Sequence, residues 1–272
     1  MRVLAINDIS CVGKCSLTAA LPIISACGVE CTVLPTAVLS THTGGFTGYT
    51  FQDLTENIPP ILRHWNTLGL KFDIIYSGYL GSIHQIELIS SIKKEFLAEN
   101  GKFVVDPVMG DSGKLYAGFT TAFVEKMREL CREADFILPN ETEACYLADT
   151  PYPLCLKTAE TALEKLAELC PRPIITGVTD ANGISVFFKD ENRQTVSLEH
   201  ENVEGFFCGA GDVFASSFIG AMARGKHMNE AIALASDFAA ACIRRSAKEV
   251  PDKRFGLPFE KEIFPFLKKL NG

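Results

Sequence analysis

The stretch "DFILPNETEA", residues 135–144, contains one complete change of periodicity. Its first half is a short apolar run closed by Pro139. Its second half opens with Asn140 and places Glu143 three residues later, the spacing of a helix start. A strand that hands over directly to a helix is the building unit of a βα fold, and the same handover recurs in both directions along the chain. "RVLAIN", "CTVLPTAVL", "FDIIYSGYL", "KFVVDPVM" and "PIITGV" read as strands, being short, rich in Val and Ile and bounded by polar or Gly/Pro residues. Amphipathic stretches at 16–26, 85–99, 120–132 and 159–169 lie between most of them. The alternation predicts right-handed βαβ crossovers and an α/β fold, a three-layer αβα sandwich with a mainly parallel central sheet.

Two regions depart from this rhythm. "GISVFFKD" and "RQTVSLEHE" read as an antiparallel pair near the sheet edge, and beyond Gly211 the chain turns helical, with small residues suited to close packing. The sequence contains no internal repeat and no low-complexity linker, and 272 residues with 47% hydrophobic content fit a single domain, 1–272.

The charge balance, Lys+Arg 26 against Asp+Glu 33 for a net −7, comes without a basic run and argues against a nucleic-acid partner. No apolar stretch approaches the ~20 residues of a membrane span, and the N-terminus has no signal-peptide pattern, so a soluble cytoplasmic protein is expected. Ten cysteines include two Cys-x3-Cys spacings, Cys11 with Cys15 and Cys27 with Cys31. No accompanying His pair or second Cys-x2-Cys supports a metal site, and most of the cysteines sit in apolar runs, so buried free thiols are expected, Cys208 among them.

In open parallel sheets, ligands bind beyond the carboxyl ends of the strands. Asp8, His42, Thr43, Tyr79, Asp106, Asp111, Asn140, Glu143 and Thr176 stand at those ends and are expected to share one crevice. A further stretch, "FFCGAGDVFASS", sets Asp212 directly behind Gly209, Ala210 and Gly211 at the start of an apolar helix. Glycines there permit positive φ and close approach, and a helix N-terminus attracts anions. Asp212 either caps this helix or acts as a general base beside an anion hole that holds a transferring phosphoryl group. Asn140 and Glu143 either form a capping box or hold Mg²⁺ and its waters. "VVDPVMGDSGKLY" is either a surface loop or a lid over bound nucleotide. The P-loop signature and the protein-kinase signature set are both absent from the sequence.

Taken in order, "AIND", "LSTHTGG", "YSGYLGS", "VVDPVMGD", "PNETEA", "IITGV" and "CGAGDVFAS" resemble the ribokinase-like superfamily, specifically its pyridoxal/pyridoxamine kinase branch, nearly end to end. The resemblance implies ATP-dependent phosphorylation of the 5′-hydroxymethyl group of a vitamin B6 compound. It implies that Asp212 is the base and that Gly209, Ala210 and Gly211 form the anion hole. Asp106 and Glu143 would serve the nucleotide phosphates and their metal, with Asn140 and Thr176 also on the nucleotide. Asp8, His42, Thr43 and Tyr79 would hold the vitamer. ATP, Mg²⁺ and, as an open third requirement, a monovalent cation are the implied cofactors, and a homodimer is the implied assembly. Asp8 stands where such kinases often have Ser, and Ala210 replaces a common Thr. Two alternatives stay open: a hydroxymethylpyrimidine kinase of thiamine synthesis, and a non-catalytic nucleotide- or vitamin-binding regulator on the same fold.

Overall fold

The structure, a computed structural model, describes residues 1–179 and 183–272. From the N-terminus the elements are β1 (Arg2–Val12), α1 (Leu17–Ala26), β2 (Glu30–Thr41), β3 (Phe51–Asp53), α2 (Ile58–Thr67), β4 (Phe72–Ser77) and α3 (Ile83–Phe96). They continue with β5 (Leu97–Val105), β6 (Gly110–Asp111), β7 (Lys114–Leu115), α4 (Thr121–Arg132), β8 (Phe136–Ile137), α5 (Glu141–Ala148) and α6 (Leu156–Leu169). The last are β9 (Ile174–Thr179), β10 (Ile184–Lys189), β11 (Thr195–His200), α7 (Ala210–Ala223), α8 (Met228–Glu249) and α9 (Ile263–Leu270). The expected α/β alternation is present, and the pairings of β1 with β2 and of β5 with β8 are parallel. Among the described residues, no helix is long and apolar enough to cross a membrane.

The chain divides into two compact units. The first comprises Met1–Ile75, Phe96–Gly101 and Val203–Gly272. Its strands run in the order β3, β2, β1 and then the first residues of β4. Val3, Leu4, Ala5 and Ile6 in β1 are all fully buried, as a parallel strand covered on both faces requires. β3 closes the edge antiparallel to β2. α1 packs on α7, and α7 on α8. Gly220 lets the first two helices approach, because a Cβ there would overlap the Cys27 thiol. The small residues after Gly211 therefore do serve close packing.

β1 extends past the strand end read from "RVLAIN", so Asp8 lies within the strand and not at its terminus. The β1–β2 register runs from Asn7 opposite Pro35 to Ile9 opposite Val38, so Thr36 and Ala37 together face the single residue Asp8. This is a β-bulge, placed where Pro35 has no N–H to give the ladder. The extra residue lies on β2, and Asp8 stands opposite it in mid-strand.

The second unit comprises Tyr76–Glu95 and Lys102–Asn202. Val104 and Val105 pair with Phe136 and Ile137, and single parallel bridges link Ile137 to Pro173 and Asn140 to Thr176. Those bridges set β9 parallel beside β8 on one side, as its sequence suggested, while its other side begins an antiparallel sheet. There β9 pairs antiparallel with β10, and β10 with β11, in a three-stranded sheet. The glycine-containing loop at 110–115 folds into a short β6–β7 hairpin.

All ten cysteines are free. Cys15, Cys27, Cys131, Cys145, Cys170 and Cys242 are buried as expected, whereas Cys11 and Cys155 are exposed, and Cys208 is only half-buried.

Candidate active site

Two clusters of polar groups stand out, one in each unit. In the first unit, α7 begins at Gly209, its N-cap, with φ 79°. No other residue fits there, since a Cβ would overlap the Lys14 carbonyl oxygen. A Cβ on Gly211 would meet nothing within 4 Å, so the helix start faces open space. The first amides of a helix have no intrahelical partners; in this 14-residue helix the Ala210 N–H donates to the Phe207 carbonyl at 3.4 Å, and the Gly211 and Asp212 amides follow at that opening.

Asp212 lies in the first turn of α7 and is half-buried. Burial pushes its carboxyl up to about 7, against a hydrogen bond from the Ser16 backbone N–H, while the charges of Asp8 and Cys208 add to the rise. Asp8 is buried, at 5% exposure. Burial raises its pKa too, despite hydrogen bonds from the side chains of Ser16 and Ser10, the latter at 3.2 Å.

Ser16 therefore serves both carboxylates, its hydroxyl facing Asp8 and its amide facing Asp212. It stands at the N-cap of α1 but makes no side-chain cap, and its φ of 52° is left-handed for a residue with a side chain. Such backbone strain persists only where surrounding contacts over-determine it. Sequence reasoning passed over Ser16 because a serine before a helix looks like an ordinary cap.

His42 closes the same cluster. Its Nε2 donates to the Arg254 carbonyl at 2.6 Å, and its Nδ1 accepts the Gly44 N–H at 3.1 Å, which defines a neutral tautomer. Arg254 in turn donates to the Gly45 carbonyl at 3.0 Å and lies over the Phe46 ring at 4.8 Å. The loop carrying "HTGGF" is thus fastened to the turn at 252–255. Arg254, far away in sequence, left no local signal for this role. Thr43 on that loop is exposed. The Cys208 sulfur lies 3.3 Å and 3.5 Å from the two His42 ring nitrogens.

In the second unit, the capping box read from Asn140 and Glu143 is present. The Asn140 side chain accepts the Glu143 N–H and Glu143 Oε2 accepts the Asn140 N–H, both at 3.0 Å. Glu143 Oε1 also accepts the Met109 N–H at 2.8 Å and the Gly110 N–H at 3.4 Å, and Asn140 Nδ2 donates to the Gly110 carbonyl at 2.8 Å. The box does two things at once, starting α5 and gripping the turn after β5. That turn needs gripping, because Val108 has φ 34°, an outlier for a β-branched residue. Glu143 is 1% exposed, and burial pushes its carboxyl up to about 7 against these amides. Asp106 is buried just before the turn, its N–H donating to the Ser77 carbonyl at 2.8 Å. Thr176 donates its N–H to the Pro139 carbonyl at 2.9 Å, beside the box. Asp111 lies in the β6–β7 hairpin. Tyr79 stacks on Phe119 with ring centroids 6.0 Å apart.

The phosphomethylpyrimidine kinase family model matches residues 13–254, a span that takes in both clusters except Asp8 and Ser10. The chain belongs to the phosphomethylpyrimidine kinase family. A Bacteroides thetaiotaomicron protein described as a phosphomethylpyrimidine kinase, solved in a form with pyridoxal, is 35% identical with a TM-score of 0.91, the match covering 100% of this chain and 96% of that one. The pyridoxal kinase of Lactobacillus plantarum is 32% identical with a TM-score of 0.90, over 98% and 96% of the two chains. A pyridoxal kinase of Rubrobacter xylanophilus is 25% identical over 92% of this chain and 90% of its own length. This member of the phosphomethylpyrimidine kinase family is a kinase with the ribokinase-like fold anticipated from its motifs.

Proposed function

We propose that the enzyme phosphorylates the 5′-hydroxymethyl group of pyridoxal, pyridoxamine or pyridoxine, with ATP as donor. The observation that carries this reading is Asp212, a half-buried carboxylate behind Gly209 and Gly211 whose pKa burial has pushed up to about 7. A general base works best when its proton affinity matches the working pH, and here it stands beside a helix start suited to an anion. Asp212 accepts the hydroxyl proton as the oxygen attacks. The opening at Gly211 has room for a phosphoryl group, whose negative charge the first-turn amides stabilise.

In the first unit Asp8, His42 and Thr43 hold the vitamer. The Asp8 carboxylate suits a ring hydroxyl, a protonated ring nitrogen or the ammonium of pyridoxamine. In the second unit Asp106, Asn140, Glu143 and Thr176 serve the nucleotide. Bound ATP supplies the phosphoryl group, and Mg²⁺ neutralises its charge. Among the described residues no group of three or more His, Cys, Asp or Glu side chains could hold a metal ion. Mg²⁺ that keeps its waters and leans on substrate phosphates needs only one or two carboxylates, so Asp106 and Glu143 fit it. Because both Glu143 oxygens already accept backbone amides, its contribution comes through its charge and the turn it grips. A cytoplasmic homodimer accompanies this reading, on the strength of the resemblance alone.

The description of the matching family favours a second reading, a hydroxymethylpyrimidine kinase. An ADP-release assay across the three B6 vitamers, hydroxymethylpyrimidine and several sugars separates the two. Turnover of the vitamers is expected. Far faster turnover of the pyrimidine would replace the B6 reading, and binding without ADP release for every alcohol would remove catalysis altogether.

A further inference from the structure

Spacing in the sequence pairs Cys15 with Cys11, but the fold gives Cys15 a different neighbour. Gly209 sits against the Lys14–Cys15 backbone so closely that its missing Cβ would overlap the Lys14 carbonyl oxygen and come within 3.6 Å of Cys15 Cα. The residue before Gly209 is Cys208, so the backbone that carries the Cys208 thiol lies against that of Cys15. Their surroundings are unequal. Cys15 is buried at 5% exposure, and its interaction with Cys208, then its burial and the charges of Asp212 and Asp8, push its thiol up. Cys208 is half-buried, within reach of solvent, and its sulfur touches the His42 ring. Interaction with the Cys15 thiol first and with His42 second holds the Cys208 thiol below its ordinary pKa despite burial and the Asp8 charge. An accessible thiolate beside a protonated second thiol is the arrangement of an oxidisable pair. The reacting atoms lie directly before the anion-binding turn.

We propose that Cys208 is a site of oxidative modification by hydroperoxides, with Cys15 as the resolving thiol, and that the disulfide they form silences the Gly209–Gly211 anion site. In the first step the Cys208 thiolate attacks the terminal peroxide oxygen. The O–O bond breaks, the leaving alkoxide takes up a proton as an alcohol (water, for hydrogen peroxide), and the sulfur is oxidised by two electrons to a sulfenic acid. In the second, the Cys15 sulfur attacks the Cys208 sulfur, the S–O bond breaks, and the hydroxide leaves with the Cys15 proton as water. The net change is two thiols and one hydroperoxide giving one disulfide, one alcohol and one water. The new bond draws Cys208 off His42 towards an S–S length of about 2.05 Å and straps the start of α7 to the Lys14–Cys15 segment. Oxidation of the pair does not depend on the kinase reading. Only the silencing clause rests on it.

The test treats the full chain with a small molar excess of hydrogen peroxide and maps its peptides without reduction. The expected product is a Cys15–Cys208 cross-linked pair, lighter by two hydrogens than the reduced peptides, formed before the exposed Cys11 and Cys155 are oxidised. ADP-release activity towards the best alcohol substrate falls by more than about tenfold, the scale of losing anion stabilisation, and returns with dithiothreitol. In Cys15→Ser the reaction stops at a Cys208 sulfenic acid that dimedone traps. Intact Cys208 with oxidised Cys11 and Cys155 overturns the proposal, as does Cys208 sulfinic acid beside free Cys15 in the parent. A cross-link with activity retained overturns the silencing clause, and the cross-link is read by mass whether or not a vitamer proves to be the substrate.

Discussion

Asp212 and Glu143 are both carboxylates that burial pushes up to about 7, yet their surroundings suit them to different work. Glu143 has both oxygens committed, to the amides of Met109, Gly110 and Asn140, and almost no exposure. Asp212 is held by the Ser16 amide, keeps contact with solvent, and stands beside a helix start that opens into free space. A shifted pKa alone therefore does not mark a catalytic acid or base. What separates the two is whether an oxygen is left to take a proton. Glu143 spends its charge on fixing a strained turn, whereas Asp212 keeps capacity for a substrate hydroxyl.

The largest effect should come from closing the open partner. Gly209→Ala forces a side chain into the left-handed region and onto the Lys14 carbonyl, so the helix start must shift. We expect kcat/KM to fall by about 10²-fold or more, the range for losing oxyanion-type stabilisation. Activity near the parent's would mean that the turn at Gly209 holds no anion, and the contrast with Glu143 would collapse.

A smaller effect is expected from Glu143→Gln. The amide replaces one acceptor with a donor, so one of the backbone N–H groups now received by the carboxylate is left unpaired, at a cost of about 1–3 kcal/mol in thermal unfolding. With the charge gone, the Mg²⁺ concentration for half-maximal activity should also rise. A fall in Tm with unchanged Mg²⁺ dependence would confine Glu143 to its capping and gripping role.

A further effect is read in the pH dependence of stability, and its sign follows from linkage. The folded Asp212 carboxyl titrates near 7 and the unfolded one near 3.8. As pH rises between those values the unfolded chain loses this proton first, so the contribution of Asp212 to stability is fully present below about pH 4 and is lost by about pH 7. Asn has no proton to lose. The Tm of Asp212→Asn relative to the parent should therefore climb from pH 5 to pH 7 and then level off. A flat difference would mean that the carboxyl is not raised.

Much of this contrast was legible in the sequence, though unevenly. The alternation of β and α, the helix start at Asn140 and the glycines before Asp212 are local patterns, and each formed where it was read. The choice between capping box and ligand at Glu143 was not legible. It turned on Met109 and Gly110, more than thirty residues away, whose amides reach the carboxylate only in the folded chain. The bulge opposite Asp8 is likewise a property of the β1–β2 register. Ser16 was hidden by its resemblance to an ordinary cap. Arg254 and the Cys15–Cys208 neighbourhood arise from contacts that no spacing along the chain encodes.

The central claim, that Asp212 is the carboxylate with capacity to spare, is tested most directly by single-turnover phosphoryl transfer to the best alcohol substrate in parent and Asp212→Asn, followed from pH 5.5 to 8.5 with nucleotide binding measured alongside. The parent rate should rise with pH through about 7 as the carboxyl ionises. The variant rate should be lower by about 10²-fold or more and flat across that range, with nucleotide affinity retained. A variant that transfers phosphate at nearly the parent rate, with the same pH profile, would reduce Asp212 to a first-turn acid that complements the helix start.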